Sequence, residues 1–412
     1  MQATSMVQEL LKAEEKDNEN LGLSYNISSD EYIPVYDYED SLFQFNWSEL
    51  IPTLAVYGLT MVLGIVGNTL IIFTICRYRR MKSTTNVFLS NLASADLLLI
   101  TICIPVKVAK LFSYSWTMGE FLCKGVHYMQ SVSAICSVLT LTTMSIERYY
   151  AIVHPMRAKY KCTISQARRI VIVIWAASFT LAVSMLFVQV HMEVGVCIKA
   201  YWCVADWENQ SLWRTHELYM LFLILVIPTS IMVLAYSSIC WEVWHVMKRR
   251  YDMTSGQARN SIVSRGTDGY SVRISKRSTR QPSYLGRDKA DDDTSTVVQV
   301  IKMLVTVVVL FVICWAPLLV YNVLKAYDVI PSQAPGPVKH MGAAFHLMAY
   351  FNSCINPIVY GFMSKNFRKS FYKALCQCCP RPNFKNRCPS ISQTRTTSLR
   401  LEKSTSLSAS SS

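Results

Sequence analysis

The sequence predicts an all-α membrane protein: a bundle of seven transmembrane helices with a short amphipathic helix on the inner membrane face. Three observations predict it. Hydrophobic residues make up 51% of the chain and charged residues 17%, against about 25% charged in an average soluble protein. The apolar excess gathers in seven blocks, roughly 52–76, 84–109, 121–146, 170–190, 217–241, 298–324 and 340–363, each long enough for the ~20 residues a bilayer crossing needs. Basic residues gather in alternate connectors. A soluble helical protein, whose helices average about 11–12 residues, has no need of seven such blocks.

The first fifty residues are polar and acidic, with eleven carboxylates against Lys12 and Lys16 for a net charge of −9. The opening MQATSMVQELLKAEEKDNEN lacks the apolar core of a signal peptide, so the first block is expected to serve as its own targeting signal. Asn26 and Asn46 head Asn-X-Ser acceptors for glycosylation, and Asn209 heads a third between blocks four and five. All three fall on the side opposite the basic connectors.

Those connectors set the orientation. Residues 77–82 (RYRRMK) are basic at four of six positions. Block three is followed by Arg148, Arg157, Lys159, Lys161, Arg168 and Arg169, and the segment 248–290 and the tail after Lys365 are rich in Lys and Arg. The positive-inside rule places this side in the cytoplasm, with the N-terminus outside and the C-terminus inside at the plasma membrane. The whole-chain charge of +14 is then membrane topology, and no nucleic-acid partner is implied.

Blocks one to three hold polar residues that lipid makes expensive: Asn68, Asp96, Gln130 and Ser137, with His346, Asn352, Ser353 and Asn356 in block seven. Ser and Asn also serve as packing contacts between membrane helices. A lone carboxylate such as Asp96 must be protonated, paired or bound to a cation. Pro228, Pro317 and Pro357 sit deep in blocks five, six and seven, where each removes a backbone hydrogen bond and kinks its helix. Block three ends on Glu147-Arg148-Tyr149, an acid and a base side by side where an apolar helix meets the membrane edge.

The segment 248–296 is dominated by Ser, Thr, Arg and Gly and reads as a disordered inner loop; Lys276-Arg-Ser-Thr279 and Arg280-Gln-Pro-Ser283 fit kinase substrates or a solvated spacer equally. After block seven, Phe367, Phe371 and Leu375 recur at every fourth position with basic residues opposite, the pattern of a helix lying on the inner leaflet. Cys376, Cys378 and Cys379 follow it, suited to palmitoylation; a zinc site with Cys388 has no standard spacing. The chain thus divides into an outer acidic tail (1–50), the bundle (51–363), the amphipathic helix (364–376) and a Ser/Thr-rich cytoplasmic tail (377–412). Oxidising conditions outside favour a disulfide among Cys123, Cys197 and Cys203, which leaves one spare.

The motifs Gly67-Asn68, LASAD at 92–96, Trp116 before Cys123, ERY at 147–149, Trp175, Pro228 with Tyr236, CWAP at 314–317 and NPIVY at 356–360 stand one set per block and in order. Over roughly residues 50–376 the chain resembles a rhodopsin-like (class A) G-protein-coupled receptor. The resemblance implies that Arg148 is held by Glu147 at rest and swings to meet a heterotrimeric G protein, with Tyr149, Tyr236 and Tyr360 in the same switch. It implies a toggle of Phe311 and Trp315 beside Pro317 and Pro228. It implies a sodium ion, the only cofactor-like species expected, among Asp96, Ser137, Asn352 and Asn356. It implies a disulfide from Cys123 to the loop after block four; the WCVADW setting favours Cys203 over Cys197. Some members hold the arginine with a helix-six acid as well, but Thr294 to Leu310 contains none.

Aminergic members carry an Asp seven residues after the helix-three Cys, and here that position is Gln130, as in peptide branches for orexin, pyroglutamylated RFamide and neuropeptide FF. The stretch 349–371 resembles receptors for cholecystokinin, RFamide-type peptides and trissin, while 156–169 resembles thyrotropin-releasing-hormone and secretagogue receptors. The implied function is a cell-surface receptor for an extracellular neuropeptide, basic and C-terminally amidated. Its pocket is expected to be lined by Lys107, Lys110, Gln130, Asn322 and His346, with arrestin and receptor kinases acting on the tail. A class A receptor for a non-peptide ligand is the alternative. A transporter should show repeated halves, and an intramembrane enzyme a catalytic motif; neither is present in the sequence.

Overall fold

The computed structural model describes residues 47–113, 115–194, 200–263, 285–330 and 337–378. Seven long helices run back and forth: α1 (Trp47–Arg77), α2 (Thr84–Leu111), α3 (Gly119–Val153), α4 (Ile164–Val188), α5 (Gln210–Val263), α6 (Leu285–Ala326) and α7 (Pro337–Met363). An eighth, α8 (Lys365–Cys378), turns off the end of α7. A two-turn helix, Pro155–Lys161, sits between α3 and α4. Six of the long helices contain a stretch long and apolar enough to cross a membrane by composition alone. The seventh, α7, is 27 residues long but spends part of its length on His340, His346, Asn352, Ser353 and Asn356, as its mixed sequence foretells.

The helices start where chemistry allows. The Ser83 side chain accepts from the backbone N–H of Asn86 at the head of α2, and Thr163 and Gln166 form a reciprocal capping box at the head of α4. Gly119 opens α3 at φ +77°, a backbone conformation that side chains disfavour. Two helices contain a π turn, Leu99–Cys103 in α2 and Phe222–Val226 in α5. Pro105 and Pro228 follow them. Each proline leaves the carbonyl four residues back, Thr101 or Ile224, without its N–H partner, and each widened turn contains that residue. Pro317 and Pro357 lie within α6 and α7.

The outward faces are apolar and exposed: Leu59, Val62 and Val66 on α1, Ile172 and Val173 on α4, Val233 and Leu234 on α5, Val309 and Ile313 on α6. In water such faces mark a binding surface or an aggregation hazard; ringing a bundle of long apolar helices, they form the lipid-facing surface. α3 is the most enclosed helix and α4 the least. In lipid, apolar burial gives helices no reason to associate, so close packing and polar contacts hold them. Accordingly, a Cβ on Gly67 would lie 2.6–2.7 Å from the Pro357 ring, which brings α1 hard against α7. Asn68 donates to the Ser353 carbonyl (2.8 Å), Trp175 Nε1 donates to Asn91 (2.7 Å), and Asn91 donates to Thr140 (2.8 Å).

One end of the bundle carries an antiparallel hairpin, β1 (Gln189–Val194) and β2 (Ala200–Ala205), in register Gln189↔Ala205 through Val194↔Ala200. A disulfide joins Cys203 of β2 to Cys123 of α3, and the Trp116 N–H donates to the Tyr201 carbonyl. At the opposite end α8 packs Phe367 against Tyr360 of α7, ring centroids 5.8 Å apart. Lys373 lies over the Tyr78 ring beyond α1, and Gln299 of α6 donates to the Met363 carbonyl (2.6 Å). α5 continues to Val263 and α6 begins at Leu285. Helix therefore enters both ends of the segment 248–296 that composition reads as disordered, because adding a residue to an existing helix costs far less than starting one. Residues 264–284, the tail 1–46, Cys197, and everything after Cys378 lie outside the described residues.

Candidate functional site

Three polar regions are threaded along the bundle axis. Nearest the hairpin lies a cavity of about 80 Å³ between α3, α5, α6 and α7, lined by His127, Gln130, Met185, His216, Glu217, Trp315, Asn322 and His346 among others. Three of the five expected pocket residues, Gln130, Asn322 and His346, line it directly. Lys107 stands just behind, its Nζ 3.2 Å from His127 Nε2. Lys110 turns away and donates to the Ser113 carbonyl at 3.1 Å. The Gln130 carbonyl oxygen accepts from the Tyr350 hydroxyl (2.8 Å), so its amide N–H₂ is the end left for the cavity. Below, Trp315 lies 6.0 Å from the stacked Phe311 ring, and its buried indole N–H has no hydrogen-bond partner among the described residues. Pro317 follows two residues later, and Pro228 lies across in α5.

Reading the sequence missed His127, His216 and Glu217. His127 was legible: it precedes Gln130 by three residues and so shares its helix face. Glu217 hid because it falls at the edge of block five, where an acid reads as a loop residue. It is instead inside the cavity, where Trp213 Nε1 donates to its carboxylate at 3.3 Å. Arg214, one turn away, is held elsewhere: it donates to the Ala326 carbonyl (2.9 Å) and pairs with Asp328 (2.8 Å).

In the middle of the bundle, Asp96 is 1% exposed and accepts from Asn356 Nδ2 at 2.8 Å. Ser137 and Asn352, the other residues expected at a sodium site, are buried as well. Ser353 also reaches the Asp96 carboxylate, and buried carboxylate, hydroxyl and amide oxygens are the kind of donor set a hard cation takes.

At the α8 end, Arg148 Nε lies 2.9 Å from Glu147 Oε2, and Thr85 donates to the same oxygen at 3.4 Å. No other acid pairs with Arg148 among the described residues. Ser145 donates to the buried Tyr236 hydroxyl at 3.1 Å. Tyr149 stacks edge-on with His154. Tyr360 is buried, and its hydroxyl has no hydrogen-bond partner among the described residues. Just beyond this end, outside the spanning helices, burial pushes the Cys162 thiol above its usual range, with the Glu147 charge adding to the effect. Asn209 is exposed at the head of α5, on the hairpin side. Cys376 and Cys378 lie on the last turn of α8, while Asn26, Asn46 and Cys379 are outside the described residues.

A lipid-facing helical bundle with a cavity at one end, an arginine–glutamate ion pair at the other and a polar core between them has the layout of a multi-pass membrane receptor. Residues 67–360 match the seven-transmembrane receptor (rhodopsin) family, and the chain belongs to that family. It is a receptor at the plasma membrane and not an enzyme. The chain is 30% identical to the pyroglutamylated RF-amide peptide receptor of Mus musculus, over 79% of its own length and 70% of the relative's. It is 30% identical to a QRFP-like peptide receptor of Branchiostoma floridae, over 78% and 77%. It is also 30% identical to the cholecystokinin receptor type A of Cavia porcellus, over 82% and 83%.

Proposed function

We propose that the chain binds an extracellular peptide at its hairpin end and activates a heterotrimeric G protein at its α8 end. The observation that carries this is the cavity closed below by Trp315 and lined by Gln130 where an amine receptor would need a carboxylate; the named relatives, all peptide receptors, support it. The hairpin end faces outside, because the basic connectors lie at the other end. The ligand is basic and C-terminally amidated, its terminal amide reaching Gln130. Asn26, Asn46 and Asn209 carry glycans, Cys376, Cys378 and Cys379 carry palmitate, and the cytoplasmic tail recruits kinases and arrestin. Sodium among Asp96, Ser137, Asn352 and Asn356 stabilises the resting state by binding it preferentially.

In mechanism, the peptide's end presses on the α3, α5, α6 and α7 walls and on the Trp315 ring beneath. Pro317 and Pro228 let α6 and α5 bend there. Movement at the α8 end separates Arg148 from Glu147, which frees the guanidinium for the G protein. The test is a neuropeptide screen on cells carrying the receptor and a promiscuous G protein. A response to amidated peptides is expected; response only to non-peptide molecules would overturn the reading.

A further inference from the structure

The cavity at the hairpin end is electrically two-sided. One wall, from α3 and α7, carries donors, with Lys107 of α2 just behind it. Lys107 Nζ reaches to 3.2 Å from His127 Nε2, and its charge acts on His346 as well. Among the described residues no carboxylate pairs with Lys107. Gln130 adds its free amide N–H₂, since its oxygen is taken by Tyr350. The opposite wall, from α5 and α6, is an acceptor. Glu217 lines the cavity, holds one indole N–H at 3.3 Å and lies within reach of the Asn322 amide. Lys325 is near enough to act on it but not within ion-pairing distance, and Arg214 is committed to Asp328.

An acid and a base inside one protein normally find each other. Here Glu217 stands on the α5 wall of a cavity of about 80 Å³, room for one side-chain end rather than a whole peptide, and Lys107 stands behind His127 of the α3 wall. Charges drawn out of water without full partners cost free energy, and a bound group that supplies the missing partner recovers it. We propose that the buried end of the ligand is dipolar: an Arg or Lys side chain seated on Glu217, and a terminal carboxamide or carboxylate oxygen seated on Gln130, with the Lys107 charge behind that wall drawing it in. This rests on the peptide reading above but not on the acidic tail, since it concerns contact rather than approach. A guanidinium is the better cation, because it meets a carboxylate with two parallel hydrogen bonds.

The probe is a heptapeptide library randomised at its last four positions, made both as carboxamides and as free acids. It is offered to purified full-length receptor in lipid discs, and the retained peptides are identified by mass. Peptides with a basic side chain in the last four positions should be enriched. Glu217→Gln, close to isosteric, should weaken them roughly 30-fold or more, while Glu217→Arg should switch selection to acidic side chains, a gain that misfolding cannot mimic. Lys107→Gln should weaken binding yet keep the preference for a basic residue. Retained peptides without a cation, or a selection unchanged in Glu217→Gln and Glu217→Arg, would overturn the proposal. Retention of no peptide by the wild type would instead overturn the peptide reading itself, and this inference with it.

Discussion

Arg148 shows how far a single residue can be argued. Two opposite charges side by side at the end of a membrane helix cost much less than either one buried alone, and Arg148 lies 2.9 Å from Glu147, the contact that the proposed latch would break. Arg148→Ala should therefore abolish nucleotide exchange while surface expression and peptide binding persist; normal exchange in that variant would remove the role. Asp96 is the second such residue. If it holds sodium, agonist affinity should fall as sodium replaces a larger monovalent cation, and Asp96→Asn should flatten that dependence. An affinity indifferent to sodium in the wild type would mean a carboxyl satisfied by Asn356 and a proton. Gly67 is purely structural: its would-be Cβ meets the Pro357 ring at 2.6–2.7 Å, and a ring fixed in a helix yields little. Gly67→Val should cost roughly 1–3 kcal/mol, read as a lowered melting temperature in detergent.

Among the elements, the seven crossings were legible because lipid leaves few alternatives: a segment that spans must satisfy its own backbone, so long apolar blocks are helices. α8 was legible from Phe367 and Phe371 one turn apart. The elements that stayed hidden depend on local accommodation. Nothing in LITIC or FLILV separates a π turn from ordinary helix; only the prolines that follow hint at it. The hairpin β1–β2 was half legible: QVHMEV alternates polar and apolar residues, but its first residues merge with apolar block four, and its place is set by the bond from Cys203 to Cys123. Of the site, the residues inside motifs were legible, whereas Glu217 and His216 were not, because an acid at the end of an apolar block looks the same whether it faces water or a cavity. The hairpin also makes a prediction. Peptide mapping should recover Cys123 joined to Cys203, and Cys203→Ser should loosen the rim of the cavity and weaken peptide binding at least tenfold. A Cys123–Cys197 peptide would contradict the structure.

At the scale of the whole molecule, charge is sorted by end. The α8 end carries the basic connectors, and residues 1–50, which run into the first turn of α1, carry a net −9. A negative outer mouth concentrates cationic ligands and speeds their encounter, and exposed charges are screened beyond ~8 Å at physiological ionic strength. Association of a basic peptide should therefore slow as salt rises, and deletion of residues 1–40 should slow association more than it speeds dissociation. An association rate unchanged by that deletion would confine the tail to solubility.

The central claim is that a peptide entering the hairpin end releases the latch at the α8 end. The most direct measurement is peptide-evoked GTPγS exchange on a heterotrimeric G protein, with the purified receptor in lipid discs. The account predicts that peptides retained by the wild type accelerate exchange, and that the same peptides still bind Arg148→Ala but no longer accelerate it. Retained peptides that leave exchange at its basal rate in the wild type would contradict it.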